Sequence, residues 1–246
     1  MEPRSEHRQR GYRVRLEWGP HGVEVLAADC AVLVVVDVLS FCTSVDIAVG
    51  RGAAVLPQRD HDPAAAEAEA ERAGAVPAGR RDGPGPSLRP SSLLGLAAGT
   101  TLALRSPNGA TLCAAAAAAG VPLLAGCLRN AGAVAAAADR FDGPVGLVAA
   151  GERWPDGTLR VAVEDAVGAG AIAARLRDRS TEADLAAAQF AAARARGLLD
   201  VLAATSSGRE LLADGYGADV ALAAALDASR AVPALTGGLL AGSVRG

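Results

Sequence analysis

At 246 residues the chain is long enough to bury a real core, as one large α/β domain or two small ones. Hydrophobic residues make up 51% and aromatics only 3%, so alanine, valine and leucine fill the interior and helices can approach a sheet closely. A net charge of −3 argues against a broad nucleic-acid footprint, and no apolar run approaches the roughly 20 residues that cross a bilayer.

Residues 1–13 are polar and arginine-rich with no apolar stretch behind them, so they read as a flexible tail rather than a secretion signal. Residues 14–26 alternate loosely and suggest an early edge strand or hairpin. The run 31–37 (AVLVVVD) is continuous and β-branched, which is how a strand buried on both faces reads. A helix over 43–51 and a short strand over 53–56 follow, then an alanine–glutamate helix over 64–73. Residues 79–90, rich in Gly, Pro and Arg, form the one long irregular stretch, and loops of that length are functional or mobile.

The middle of the chain repeats strand, turn and helix. Strands fall at 101–106, 121–125 and 145–150, and helices at 111–119 and 131–140, with a loop over 151–158. From about residue 163 a helix runs towards 177, and helices dominate to the end: 182–195, 197–204 and 208–213. Residues 219–226 read as a short strand or another helix. Strands alternating with helices imply a mostly parallel sheet covered on both faces. With no Pro- or Ser-rich linker, residues 14–246 read as a single domain.

Two absences remove whole mechanisms. The chain has no lysine, which excludes a P-loop lysine, a Schiff base and a Ser–Lys dyad. Its three histidines, His7, His21 and His61, all precede residue 62, so later loops offer no histidine base and no zinc helix. Four cysteines, Cys30, Cys42, Cys113 and Cys127, form no C-x-x-C pair and indicate free thiols in a reducing, cytoplasmic compartment.

Ligands of such a sheet bind beyond the carboxyl ends of the strands. Four segments fall there: 37–44, 106–110, 127–130 and 151–156. Asp37 ends the buried strand, where an unpaired carboxylate costs several kcal/mol to desolvate. It is either a cap for the helix beginning near Thr43 or a ligand to a cation. Ser40, Thr43 and Ser44 add hydroxyls that are caps or contacts. Ser106-Pro107-Asn108-Gly109 leads into an alanine-rich helix whose N-terminus favours an anion, and Asn130 precedes the next helix. Glu164 and Asp165 open a helix that also carries Gly168 and Gly170, each costing up to about 1 kcal/mol there unless another backbone approaches closely. A carboxylate pair with Asp37 suits Mg²⁺, which prefers oxygen ligands and keeps waters.

Taken in order, these segments resemble the 2-phosphosulfolactate phosphatase (ComB-like) family. The resemblance runs over residues 31–235. It is carried by Val35-Val36-Asp37-Val38-Leu39 with Thr43 and Ser44, by Ser106-Pro107-Asn108-Gly109, and by Ala125-Gly126-Cys127-Leu128-Arg129-Asn130-Ala131. Ala149-Ala150-Gly151-Glu152, Glu164-Asp165 with Gly168-Ala169-Gly170, Ser207-Gly208-Arg209-Glu210-Leu211, Asp219-Val220 and Val232-Pro233 continue it. It implies a three-layer α/β/α fold with a mostly parallel or mixed sheet. It also implies a Mg²⁺-dependent hydrolase acting on a small anionic phosphoester, 2-phospho-3-sulfolactate, on a route to coenzyme M. Asp37, Glu164 and Asp165 would be the metal and catalytic residues. Asn108, Gly109 and Asn130 would cradle the phosphate, with Ser40, Thr43, Ser44, Ser106 and Arg129 around the substrate.

Two departures stand out. The family usually carries Arg soon after the first Asp, where this chain has Ser40, and its Gly-Asn-Ser-Pro segment is here Arg89-Pro90-Ser91-Ser92. Arg80, Arg81, Arg105, Arg129 and Arg153 are candidates for the missing charge. Competing chemistries fit less well. A haloacid-dehalogenase site needs a second acid where Leu39 sits, and a cysteine phosphatase needs an arginine where Ala48 sits. A phosphate- or sulfonate-binding protein without catalysis is the reading from another class. The alanine-rich C-terminal helices can pack on the sheet or on a second copy of the chain as a homodimer.

Overall fold

The structure, a computed structural model, describes residues 5–59 and 63–242. Residues 1–4 of the expected tail, and His61, lie outside the described residues.

Nine strands form one sheet in the order β1-β7-β2-β6-β10-β11-β3-β5-β4. β1 (Val14–Trp18), β7 (Val145–Ala149), β2 (Val32–Val36) and β6 (Leu123–Gly126) pair in parallel, as do β3 (Ala54–Gln58), β5 (Thr101–Arg105) and β4 (Val76–Pro77). Between these groups lies an antiparallel hairpin, β10 (Pro233–Thr236) and β11 (Leu239–Gly242), bridged at Ala234↔Leu124 and Leu240↔Val55. The sheet is therefore mixed and mostly parallel, and helices on both faces make the expected α/β/α sandwich.

Every residue of β2 is buried. Val32, Val34 and Val36 face Val134 of α5 (Ala131–Ala138), Ile172 of α6 (Val163–Ala173) and Phe190 of α7 (Thr181–Arg196). Leu33 and Val35 face Leu26 of α1 (Gly19–Ala27), Phe41 of α2 (Phe41–Gly50) and Leu112 of α4 (Gly109–Ala119). Ala70 of α3 (Pro63–Arg72) packs with Leu56 and Ala103 at the far end. With so few aromatics, small residues set the spacing. A Cβ on Gly170 would stand 1.9 Å from the Ala186 carbonyl oxygen, so α6 and α7 cross in backbone contact.

The local differences from the sequence reading have physical causes. Residues 14–26 hold β1 and then helix α1, not a hairpin. Gly19, with φ +61, turns the chain, Pro20 pre-sets the first helical turn, and Val23 and Leu26 are spaced for one buried helix face. Of residues 219–226, 219–223 belong to helix α10 (Gly217–Ala223) and 224–226 to the turn after it; α8 (Leu198–Ala204) and α9 (Ser206–Ala213) precede it. Helices do not run to the end, because Gly237 and Gly238, both at positive φ, turn the β10–β11 hairpin. Residues 152–160 form a two-stranded arm, β8 (Glu152–Arg153) and β9 (Leu159–Arg160). Within the expected tail, residues 5–8 form a 3₁₀ turn and buried Gln9 exchanges two hydrogen bonds with Leu16 of β1, at 2.7 and 3.0 Å.

Candidate active site

The five apolar residues of β2 deliver Asp37 to the start of two helices. Its Oδ1 accepts the N–H of Phe41, first in α2, at 3.2 Å, and its Oδ2 accepts the N–H of Gly109, first in α4, at 3.0 Å. Asp37 is therefore a cap, and something more, because it is not alone. It is only 6% exposed. Burial pushes its carboxyl up to about 7, the Glu152 and Glu164 charges adding to the rise and the two N–H donors opposing it.

Asp165, in the first turn of α6, is equally buried. Its Oδ1 accepts the N–H of Val38 at 2.7 Å and its Oδ2 that of Gly151 at 2.9 Å. One carboxylate thus laces the chain just after β2 to the chain just after β7. Burial, then the charges of Asp37 and Glu164, hold it well above the usual carboxylate range. Glu164 is buried beside it. Glu152, at the start of the two-stranded arm, accepts a hydrogen bond from the Asn108 amide at 2.9 Å and is also shifted upward, chiefly by burial. Among the described residues none of these four acids forms an ion pair closer than 4 Å.

Such a cluster can hold a proton between its members or collect a cation. The described residues contain no three His, Cys, Asp or Glu side chains already spaced as a metal cage. Mg²⁺ does not require one, because it is usually held by one or two carboxylates, waters and substrate oxygens. All-oxygen donors with uncompensated negative charge fit that ion.

The other expected contacts divide into two groups. Asn108 and Gly109 join the acids: the Asn108 amide lies between Glu152 and Arg153, and Gly109 donates to Asp37. The rest, Ser40 excepted, make hydrogen bonds elsewhere in the fold. Thr43 donates to the Val38 carbonyl at 2.7 Å, Ser44 to the Leu88 carbonyl at 2.9 Å, and the Ser106 hydroxyl accepts from the N–H of Asn108. Arg129 is committed to buried Asp46 at 2.8 Å and to the Leu222 carbonyl. Asn130 spends its amide on Cys127, Ala125 and Ala231. Every described hydrogen bond of the Arg129 and Asn130 head groups is internal. The Ser40 hydroxyl is buried without a partner.

The sequence marks Glu152 only by its place in the 151–156 segment beyond a strand end, and it is the tertiary structure that adds it to the acids. A cleft of about 390 Å³ lined by Asn108, Glu152, Arg153 and Leu159 opens beside it. A larger cleft of about 860 Å³, around Asp46, Arg129 and Arg230, contains none of the four acids and is not the catalytic candidate. Cysteine chemistry is disfavoured by geometry: Cys42 is buried, donates to the Val35 carbonyl and has its thiol pushed up by burial.

Among the described residues no helix is long and apolar enough to cross a membrane. The family model described as 2-phosphosulpholactate phosphatase matches residues 21–238 of the chain. No curated protein matches it.

Proposed function

This chain belongs to the 2-phosphosulpholactate phosphatase family, a family of phosphoric monoester hydrolases, and we propose that it hydrolyses 2-phospho-3-sulfolactate to 3-sulfolactate and phosphate in a Mg²⁺-dependent reaction. That product belongs on a route to coenzyme M, and four free thiols accord with a cytoplasmic location. The observation that carries the reading is the cluster of Asp37, Glu152, Glu164 and Asp165, without an ion-pair partner among the described residues, beside the N-terminus of α4.

In the reaction a water oxygen bonds to phosphorus, the bond from phosphorus to the substrate's C2 oxygen breaks, and the water's proton ends on that oxygen. Asp37 and Glu164 would hold the metal, which when bound polarises a phosphoryl oxygen and makes water more acidic. Asp165, engaged by Val38 and Gly151, holds the ends of β2 and β7 together around them. The α4 N-terminus, whose first N–H already holds Asp37, would add its dipole towards the phosphate. Glu152, shifted upward and hydrogen-bonded to Asn108, exchanges the proton with water or leaving group.

The test is phosphate release by the purified protein from a panel of small phosphomonoesters, including racemic 2-phospho-3-sulfolactate, with Mg²⁺ and with EDTA. Metal-dependent release with phosphosulfolactate preferred supports the proposal. Release from other acidic esters alone keeps the chemistry and removes the substrate. No release from any ester removes the chemistry and leaves a binding protein.

A further inference from the structure

The irregular segment over 79–93 is pinned in place. Gly79 donates to the Pro86 carbonyl at 2.8 Å, the Ser92 hydroxyl to the Arg89 carbonyl at 2.7 Å, and Ser44 of α2 to Leu88. The N–H of Ser91 donates to Oδ1 of buried Asp219 at 2.7 Å. This anchoring sets two arginines on one aromatic ring: the guanidinium carbons of Arg81 and Arg89 lie 5.7 and 5.5 Å from the centre of Tyr216. Two like charges on one ring repel, and α10 sets one carboxylate, Asp219, near them.

Their hydrogen bonds are incomplete. Nη1 of Arg81 and Nε of Arg89 are buried without a partner, as is Oδ2 of Asp219. Native folds satisfy nearly all such donors, so guanidinium N–H groups left buried and unpaired together mark a place where another molecule supplies the acceptor. Ser44 of α2, the helix that Asp37 caps, holds Leu88 of this segment at 2.9 Å, and the Asp37 charge acts on Arg81, so the segment lies against the helix that begins at the acid cluster. A single anion accepting from both forks would relieve the repulsion and the unmet donors together.

We propose that Arg81 and Arg89, stacked on Tyr216 and backed by Asp219, form a subsite for a second acid group, a sulfonate or a carboxylate, carried on the same small molecule as the phosphate. The inference rests on the Asp37 cluster being the phosphate-hydrolysing centre. It goes further in assigning the recognition of the non-reacting end to a loop rather than to strand ends. Phosphoesters with one acidic group would leave the subsite empty and bind weakly.

Calorimetric titration of the full chain tests this without turnover, using isethionate for the sulfonate, lactate for the carboxylate and inorganic phosphate as the reference. The wild type binds isethionate or lactate, and R81Q and R89Q each weaken that binding by about tenfold or more while phosphate affinity stays within about twofold. Unchanged isethionate and lactate binding in both variants, or no binding of either by the wild type, overturns the proposal. Should a variant lose its fold, the wild type alone decides. Simultaneous binding of phosphate and the second anion supports separate subsites, and strict competition between them overturns the idea. A chain that binds these anions at Arg81 and Arg89 yet hydrolyses no ester would refute the phosphatase reading and leave the subsite standing.

Discussion

Gly109 donates its N–H to Oδ2 of Asp37 at 3.0 Å, and a Cβ on Gly109 would stand only 2.9 Å from that same oxygen. The same Cβ would lie 2.3 Å from Cδ1 of Phe41. The absence of a side chain therefore lets the start of α4 close on the carboxylate that ends β2. Gly109→Ala must push apart the start of α4, Asp37 and Phe41. The expected cost is about 1–3 kcal/mol of stability, read as a lower Tm, together with loss of phosphate release.

Glu152 and Asp165 should respond to substitution in opposite ways. Glu152→Gln keeps an oxygen to accept from Asn108 and should leave the melting temperature nearly unchanged, while turnover falls by about 10²-fold or more. Asp165→Ala strands the buried N–H groups of Val38 and Gly151, at about 1–3 kcal/mol each. Thermal melts of both proteins beside their kinetics separate chemistry from support. Equal destabilisation by the two changes would contradict this division.

The metal-free protein should lose stability as the pH rises. Asp37 has an ordinary value of 3.8 and is held at about 7 in the fold, so the folded state keeps its proton more tightly than the unfolded chain. The resulting stabilisation is complete below 3.8 and is lost as the pH rises through about 7. Asp165 and Glu152 are shifted in the same direction. In EDTA the Tm should fall between about pH 4 and about pH 7. Mg²⁺ should restore it at the upper end of that range, where the carboxylates are charged. A Tm that rises over this range in EDTA would contradict the buried-acid account.

The thiols should be silent. All four cysteines are free and buried. Burial pushes Cys30 up to about 11 and Cys127 to about 12, and raises Cys42 and Cys113 as well. A thiol reagent at about pH 8 should label none of them until denaturant is added. Cys42→Ser should retain phosphate release, since Cys42 is packed against β2 and bonded to a carbonyl. Loss of release without loss of fold would reopen a thiol mechanism.

The strands that carry the site were legible because they are fully buried: a run such as Val32–Val36 has one reading whatever surrounds it. The helices of the second half were legible from alanine-rich runs between glycine and polar breaks. The α1 segment was not, since a short alternating stretch satisfies both periods and only its packing on α4, β1 and β7 chooses between them. The β10–β11 hairpin carries a weak signal, two glycines between apolar runs, which the helical pattern before it masks.

By itself the sequence determined the layered α/β class, the family, and the placement of Asp37, Asn108, Gly109, Glu164 and Asp165 at strand or helix ends. Those features are local, set by burial pattern, turn chemistry and residue type within a few positions. Only the tertiary structure decided which polar residues face one another. It set Asp165 against Val38, 127 positions away, and joined Glu152 to the cluster. It turned Arg129 and Asn130 inward and brought Arg81 and Arg89 onto Tyr216. The reason is that a hydrogen bond or charge pair is made by whatever the packed core brings within about 3 Å, and no periodicity along the chain encodes that distance.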